Sequence, residues 1–315
     1  MRHLKHNTTS PTVFIDDIIA SKRARGNDNT IVAERAKCEA IGAPRPPELT
    51  YKERCSKIRA INEAEIKIYE TAFGSDNLIL VPKRVPHTLR GDELDSKDMA
   101  DLYSFSSEPM GRLWTEVLTN DGYLNDMCPI CGSVKATTFD HYLPKTDYQL
   151  FAVHPMNLIP CCTVCNEHKL KNAFDANNKR LYWNAYLDEE TSEQYLFCDI
   201  IEENGMPKAI FRVEQGNLPD RYFEIVRNTF NDLLRDNYRD SSGARIKTLK
   251  NSCCSYYIKN QEKGLDACIQ VVADTIPDCD VNNWGNVLNK ALIKSDSFKR
   301  LLVSALKNDY GINLD

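Results

Sequence analysis

Two Cys-x-x-Cys pairs carry the strongest chemical signal in the chain: Cys128-Pro-Ile-Cys131, followed by Gly132, and Cys162-Thr-Val-Cys165, followed by Asn166. A Cys-x-x-Cys turn aims two thiolates at one ion, and a glycine directly after it permits the tight backbone that the turn needs. Two such turns supply four thiolates. A closed tetrahedral set of this kind marks structural zinc, because no coordination position is left open for a substrate. Zinc held in this way contributes ~10–16 kcal/mol of apparent binding energy toward folding, enough to hold a loop-rich unit with little core of its own. Cys161 is an alternative to Cys162, but the two-residue gap favours Cys162. Cys38, Cys55, Cys198, Cys253, Cys254, Cys268 and Cys279 show no ligand spacing and read as small buried hydrophobes. Disulfides are not expected, because the polar start of the chain has no secretory signal and a cytoplasmic location follows by default.

Between the pairs lie Phe139-Asp140-His141-Tyr142-Leu143-Pro144-Lys145 and Met156-Asn157-Leu158-Ile159-Pro160. Adjacent residues on a strand point to opposite faces, but at a strand end leading into a loop both can converge on one site. Histidine takes a proton from water near neutral pH. A carboxylate beside it can hold a hard divalent cation. His154 is expected at the surface. Tyr142 and Tyr148 are expected to pack on the zinc unit rather than stack on bases, and Trp183 to close its small core. His3, His6 and His87 have no partners in the sequence.

The order CxxCG, DHxxP, NLxP, CxxCNxxK resembles the HNH endonucleases (the ββα-metal or His-Me finger nucleases), in the form that carries paired zinc knuckles. The likeness covers residues 125–175, about a sixth of the chain. It implies that His141 is the general base, that Asp140 ligates the catalytic metal, and that Asn157 constrains the loop presenting the histidine. Asn166 then completes the metal site, as an oxygen donor suited to Mg²⁺ or another divalent cation. His168 is the alternative ligand, ranked lower because helical residues two apart face different directions. Lys169 matches the family's helix lysine and reads either as a phosphate contact or as a solvated helix residue. The implied reaction is phosphodiester hydrolysis, with one divalent cation stabilising the phosphorane and the leaving 3′ oxygen. General base catalysis is worth ~10²–10⁴-fold. Enzymes reach ~10⁶–10¹⁷-fold, so the metal must supply much of the remainder. The implied local structure is a strand ending at His141, a loop over 142–156, a strand over 158–161 and a helix over 163–173.

The surrounding sequence must position these groups. The expected fold class is α+β: a small ββα-metal unit with a four-cysteine zinc site, embedded between mainly α-helical flanking regions. The regions are 1–120 (N-terminal, mainly helical), 121–182 (the HNH unit) and 183–315 (C-terminal, mainly helical). Val13–Ile19 is a short apolar element, and Pro44, Pro46 and Pro47 mark a connector. Apolar spacing predicts one amphipathic helix over Tyr51–Phe73 and another over Glu108–Leu118. Asn77–Pro82 reads as a strand or edge segment, and Val85–Asp98 as a loop. Asn204-Gly205 between apolar runs predicts a hairpin. Pro219–Tyr238, Ile246–Tyr257, Gly264–Ala273 and Trp284–Leu306 read as helices.

The net charge of -5 argues against a bulk nucleic-acid coat protein. Residues 1–60 carry 12 basic against 7 acidic side chains, whereas residues 121–180 carry 6 of each. The candidate site therefore has little general attraction for DNA, and delivery to substrate must come from the flanks or from another protein. HNH units with helical flanks occur in bacterial anti-phage systems beside an ATPase partner. The arrangement looks like an accessory nuclease of the Septu or retron type, with a restriction-type nuclease as the other setting. A different class of function also stays open: a non-catalytic zinc module that binds nucleic acid or a partner protein. No apolar run of about 18 residues is present, so no membrane span is expected.

Overall fold

Proline at the first helical position gives up no hydrogen bond, and Pro11 opens α1 (Pro11–Ser21), which buries Phe14, Ile15, Ile18 and Ile19. The computed structural model describes residues 1–6, 9–83, 95, 97–169, 172–277 and 280–314. The chain forms two compact units. One comprises His3–Asp126 and Ala136–Asp188, the other Met1–Arg2, Met127–Lys135 and Glu189–Asp315. The three consecutive regions read from the sequence divide the chain by composition; these units divide it by packing.

In the first unit, α2 (Asp28–Ala40) follows α1 and buries only Asp28 and Ile31. The helix expected over 51–73 is two helices, α3 (Tyr51–Ile61) and α4 (Glu63–Gly74). They part at Asn62, whose side-chain amide donates to the Ile58 carbonyl at 2.8 Å and so competes with helix propagation. Thr50 and Glu53 form a reciprocal capping box at the start of α3. Leu78–Leu80 is a 3₁₀ turn rather than the expected strand. Residues 85–94 and 96 of the expected loop lie outside the described residues, and Lys97 and Asp98 begin α5 (Lys97–Ala100). Next come α6 (Glu108–Leu118), as expected, and a minimal hairpin of β1 (Thr119–Asn120) and β2 (Tyr123–Leu124).

The candidate site rests on β3 (Thr138–His141), β4 (Leu158–Cys161) and α7 (Thr163–Lys169). The strands pair antiparallel, with Asp140 opposite Ile159 and His141 opposite Leu158. Both strands match the expected bounds. The helix is shorter than expected, since Asn172 and Ala173 are already non-helical and residues 170–171 lie outside the described residues. Phe139, Leu143, Phe151, Leu158 and Trp183 are buried around this motif.

The second unit holds the hairpin β5 (Leu196–Glu203) and β6 (Met206–Val213). Asn204 and Gly205 both take positive φ, 53° and 75°, which a two-residue hairpin turn of this twist requires. The two helices expected over 219–257 run together: α8 (Asp220–Thr229), a π turn over Phe230–Leu234, and α9 (Arg235–Lys259). After α10 (Leu265–Ala273), the helix expected over 284–306 divides into α11 (Trp284–Ile293) and α12 (Asp296–Tyr310). The break falls at Ser295, whose hydroxyl accepts from the Phe298 amide and caps α12. Helices with small two-stranded sheets make the chain α+β. Among the described residues, no helix is long and apolar enough to cross a membrane.

Candidate functional site

Each cysteine pair sits on its own turn. The Gly132 amide donates to the Cys128 carbonyl at 2.8 Å, and Gly132 takes φ +63°, so glycine closes the first turn without strain. The Ser133 hydroxyl donates to Cys131 Sγ at 3.2 Å. At the second pair, the Cys165 amide donates to Cys162 Sγ at 3.4 Å where α7 begins. Cys128, Cys131, Cys162 and Cys165 are all buried, and their sulfur atoms lie within 4.8 Å of one another. Zinc–sulfur bonds of ~2.3 Å in a tetrahedron require sulfurs about 3.8 Å apart, so this donor set fits a metal ion such as zinc. Cys161 is held in β4 opposite Thr138 and is not among the four. Cys55, Cys253, Cys254 and Cys268 are buried, as expected of small hydrophobes. Burial pushes the Cys55 thiol up to about 12 and Cys253 to about 11, which keeps them protonated and inert. Cys38 and Cys198 depart from the expectation, being only half-buried; Cys279 lies outside the described residues.

Asn157 has no exposed surface and clamps the loop between β3 and β4. Its Oδ1 accepts from the Leu143 amide at 2.7 Å and from the Tyr69 hydroxyl at 3.0 Å. Its Nδ2 donates to the carbonyls of Leu143 (3.0 Å) and Phe151 (3.1 Å). One amide thereby ties both ends of the loop to each other and to α4, fixing where β3 delivers its last residues. Tyr69 was not singled out from the sequence, where its only signal was a place in the apolar stripe of α4.

His141 ends β3 with Nε2 at 2.9 Å from the Ala152 carbonyl. A carbonyl only accepts, which assigns the proton to Nε2 and leaves the lone pair on Nδ1. Burial pushes the imidazole down to about 3, with Lys145 and Lys169 acting the same way against the Ala152 hydrogen bond. The ring is therefore neutral near pH 7. Tyr103 meets it edge-on at 4.5 Å between centroids, and the exposed Lys145 ammonium lies 5.1 Å from the centre of the Tyr103 ring. Neither residue stood out in the sequence, because their relation to His141 exists only in three dimensions.

Asp140 is 8% exposed, and its carboxylate receives the Lys169 ammonium at 2.9 Å and 3.2 Å. The same ammonium donates to the carbonyls of His141 (3.0 Å) and Tyr142 (2.9 Å). Lys169 is thus neither a phosphate contact nor a solvated residue. It is buried with all three donors engaged, because the single turn from Asn166 carries it back over β3. Asn166 lies three residues before Lys169, on the same face of α7, and is half-buried. His168 is exposed and faces elsewhere.

Among curated proteins, the chain is similar to protein ea31 of Escherichia phage lambda. The two are 24% identical over 241 residues, covering 68% of this chain and 78% of ea31. The similarity thus reaches well beyond residues 125–175. No family model matches the chain, and no solved structure does.

His154 overturns its expected surface position. It has no exposed surface and stacks on Tyr69 with ring centroids 4.3 Å apart. The cause is a local turn, closed by the His154 amide on the Phe151 carbonyl at 3.1 Å, that directs the ring inward. Among the described residues neither ring nitrogen has a hydrogen-bond partner, and burial pushes the imidazole down to about 3. Tyr142, Tyr148 and Trp183 are buried.

Proposed function

We propose that the protein is a metal-dependent endonuclease of the HNH type that hydrolyses phosphodiester bonds in DNA. The observation that carries this reading is His141 itself. A half-buried, neutral imidazole ends β3 with Nε2–H donated to Ala152, so Nδ1 is the one basic nitrogen offered to a water. His141 Nδ1 takes the proton of a water whose oxygen attacks phosphorus, and the 3′ oxygen departs. Asn157 holds the loop that aims the imidazole. Lys145, exposed beside Tyr103, offers a positive charge to the substrate phosphate. Asp140 and Asn166 are the residues that would hold the catalytic Mg²⁺ or other divalent cation, which supplies charge stabilisation to the phosphorane. The Lys169 contact leaves lone pairs on the Asp140 carboxylate for such a cation, since an ionised carboxylate has about four acceptor positions. Zinc on Cys128, Cys131, Cys162 and Cys165 plays the structural part.

The setting that fits best is a bacterial defence effector in the cytoplasm, working with a partner ATPase. Residues 181–315, with 16 basic against 21 acidic side chains, suit contact with protein better than with DNA. A restriction-type nuclease is the other enzymatic setting. One observation favours the non-catalytic zinc module: the Asp140 carboxylate is already paired with the Lys169 ammonium.

The experiment is cleavage of supercoiled DNA with Mg²⁺ or Mn²⁺ and with a chelator, comparing Asn166→Ala and His168→Ala. Metal-dependent nicking is expected, with the larger loss in Asn166→Ala. No nicking with any metal or added partner would reject the enzyme reading, and a larger loss in His168→Ala would move the ligand.

A further inference from the structure

Within the second unit, α9, α10 with the residues after it, and α11 line an open cavity of 420 Å³ that the nuclease reading does not use. That volume falls in the range of small-molecule sites, ~300–1,000 Å³. Leu249, Val272 and Ile276 give it apolar walls, while Arg245 and Asn289 bring polar groups to it. Arg245 is held in place: its Nε donates to Asn289 Oδ1 at 3.1 Å.

Two donors are left over at this fixed point. Asn289 is 4% exposed, and because its oxygen faces Arg245, its Nδ2 is the remaining polar atom; it has no hydrogen-bond partner among the described residues. Among the same residues, no carboxylate pairs with Arg245. The Arg245 Nη groups and Asn289 Nδ2, without an acceptor among the described residues, border one cavity of mixed polar and apolar lining. They are open to an acceptor that enters it.

We propose that this cavity binds a small organic anion with an apolar body and a single anionic head. The head accepts from the Arg245 Nη groups and Asn289 Nδ2, in the forked geometry that guanidinium offers to carboxylate, sulfonate or phosphate oxygens. The body lies against Leu249, Val272 and Ile276.

The test titrates the full chain with 1-anilinonaphthalene-8-sulfonate and follows its fluorescence. Saturable binding at one site is expected. Arg245→Met should weaken it at least tenfold with an unchanged melting temperature, and Arg245→Lys should recover part of the loss. Val272→Trp, which fills the cavity from the apolar side, should remove binding while leaving the charge in place. Displacement by adenosine monophosphate alone assigns a phosphate head, and displacement by indole-3-acetate alone a carboxylate head. Equal dye affinity in the wild type and both folded variants (Arg245→Met and Val272→Trp), or displacement by neither competitor, would overturn the proposal.

Discussion

His141 is a half-buried imidazole and His154 a fully buried one, and they differ in what their nitrogens meet. His141 donates Nε2–H to Ala152, whereas among the described residues neither nitrogen of His154 has a partner. Both are pushed down to about 3 by burial. In the unfolded chain a histidine protonates near ~6.5. Below that pH the unfolded state binds more protons than the folded one, so stability falls as pH drops from about 6.5 toward about 3. Denaturant midpoints measured at pH 7.5 and pH 5 should show this loss, and His154→Phe, which keeps a ring on Tyr69, should make the loss smaller. An equal loss in the variant would contradict the buried, neutral His154. Asp140, His141 and Asn157 could be singled out in the sequence because the order of motifs between the cysteine pairs resembles the HNH nucleases. The inward position of His154 was not, because Tyr69 approaches it from a helix some 80 residues earlier in the chain.

At the scale of elements, β3 and β4 fall where the sequence placed them, because their ends are set by short local signals around Asp140-His141 and Asn157-Leu158. The errors lie where side chains compete with the backbone. Asn62 splits one apolar stripe into α3 and α4, and Ser295 does the same between α11 and α12. The seven-residue α7 is too short to be stable by propensity, so its attachment to β3 must come from tertiary contacts. Lys169 supplies one, pairing with Asp140 and two β3-end carbonyls while 5% exposed. Lys169→Met leaves that carboxylate buried without its partner and should cost ~3–5 kcal/mol by denaturant unfolding. A change below about 1 kcal/mol would mean that the pair does not fasten α7 to β3.

For the whole molecule, the four-cysteine cluster joins sequence positions 128 to 165, so its loss reaches beyond either turn. Cys128→Ser should lower bound zinc, read by atomic absorption, and lower the melting temperature. Unchanged melting would remove the structural role. The two-unit division was not legible in composition, since Met127–Lys135 packs with residues more than 50 positions later. The account as a whole stands on one imidazole, and one comparison tests it most directly: metal-dependent DNA cleavage by wild type and His141→Ala at matched zinc content and matched melting temperature. The expected result is a ~10²–10⁴-fold loss of rate in the variant. Cleavage at the wild-type rate by a folded, zinc-loaded His141→Ala would contradict the account.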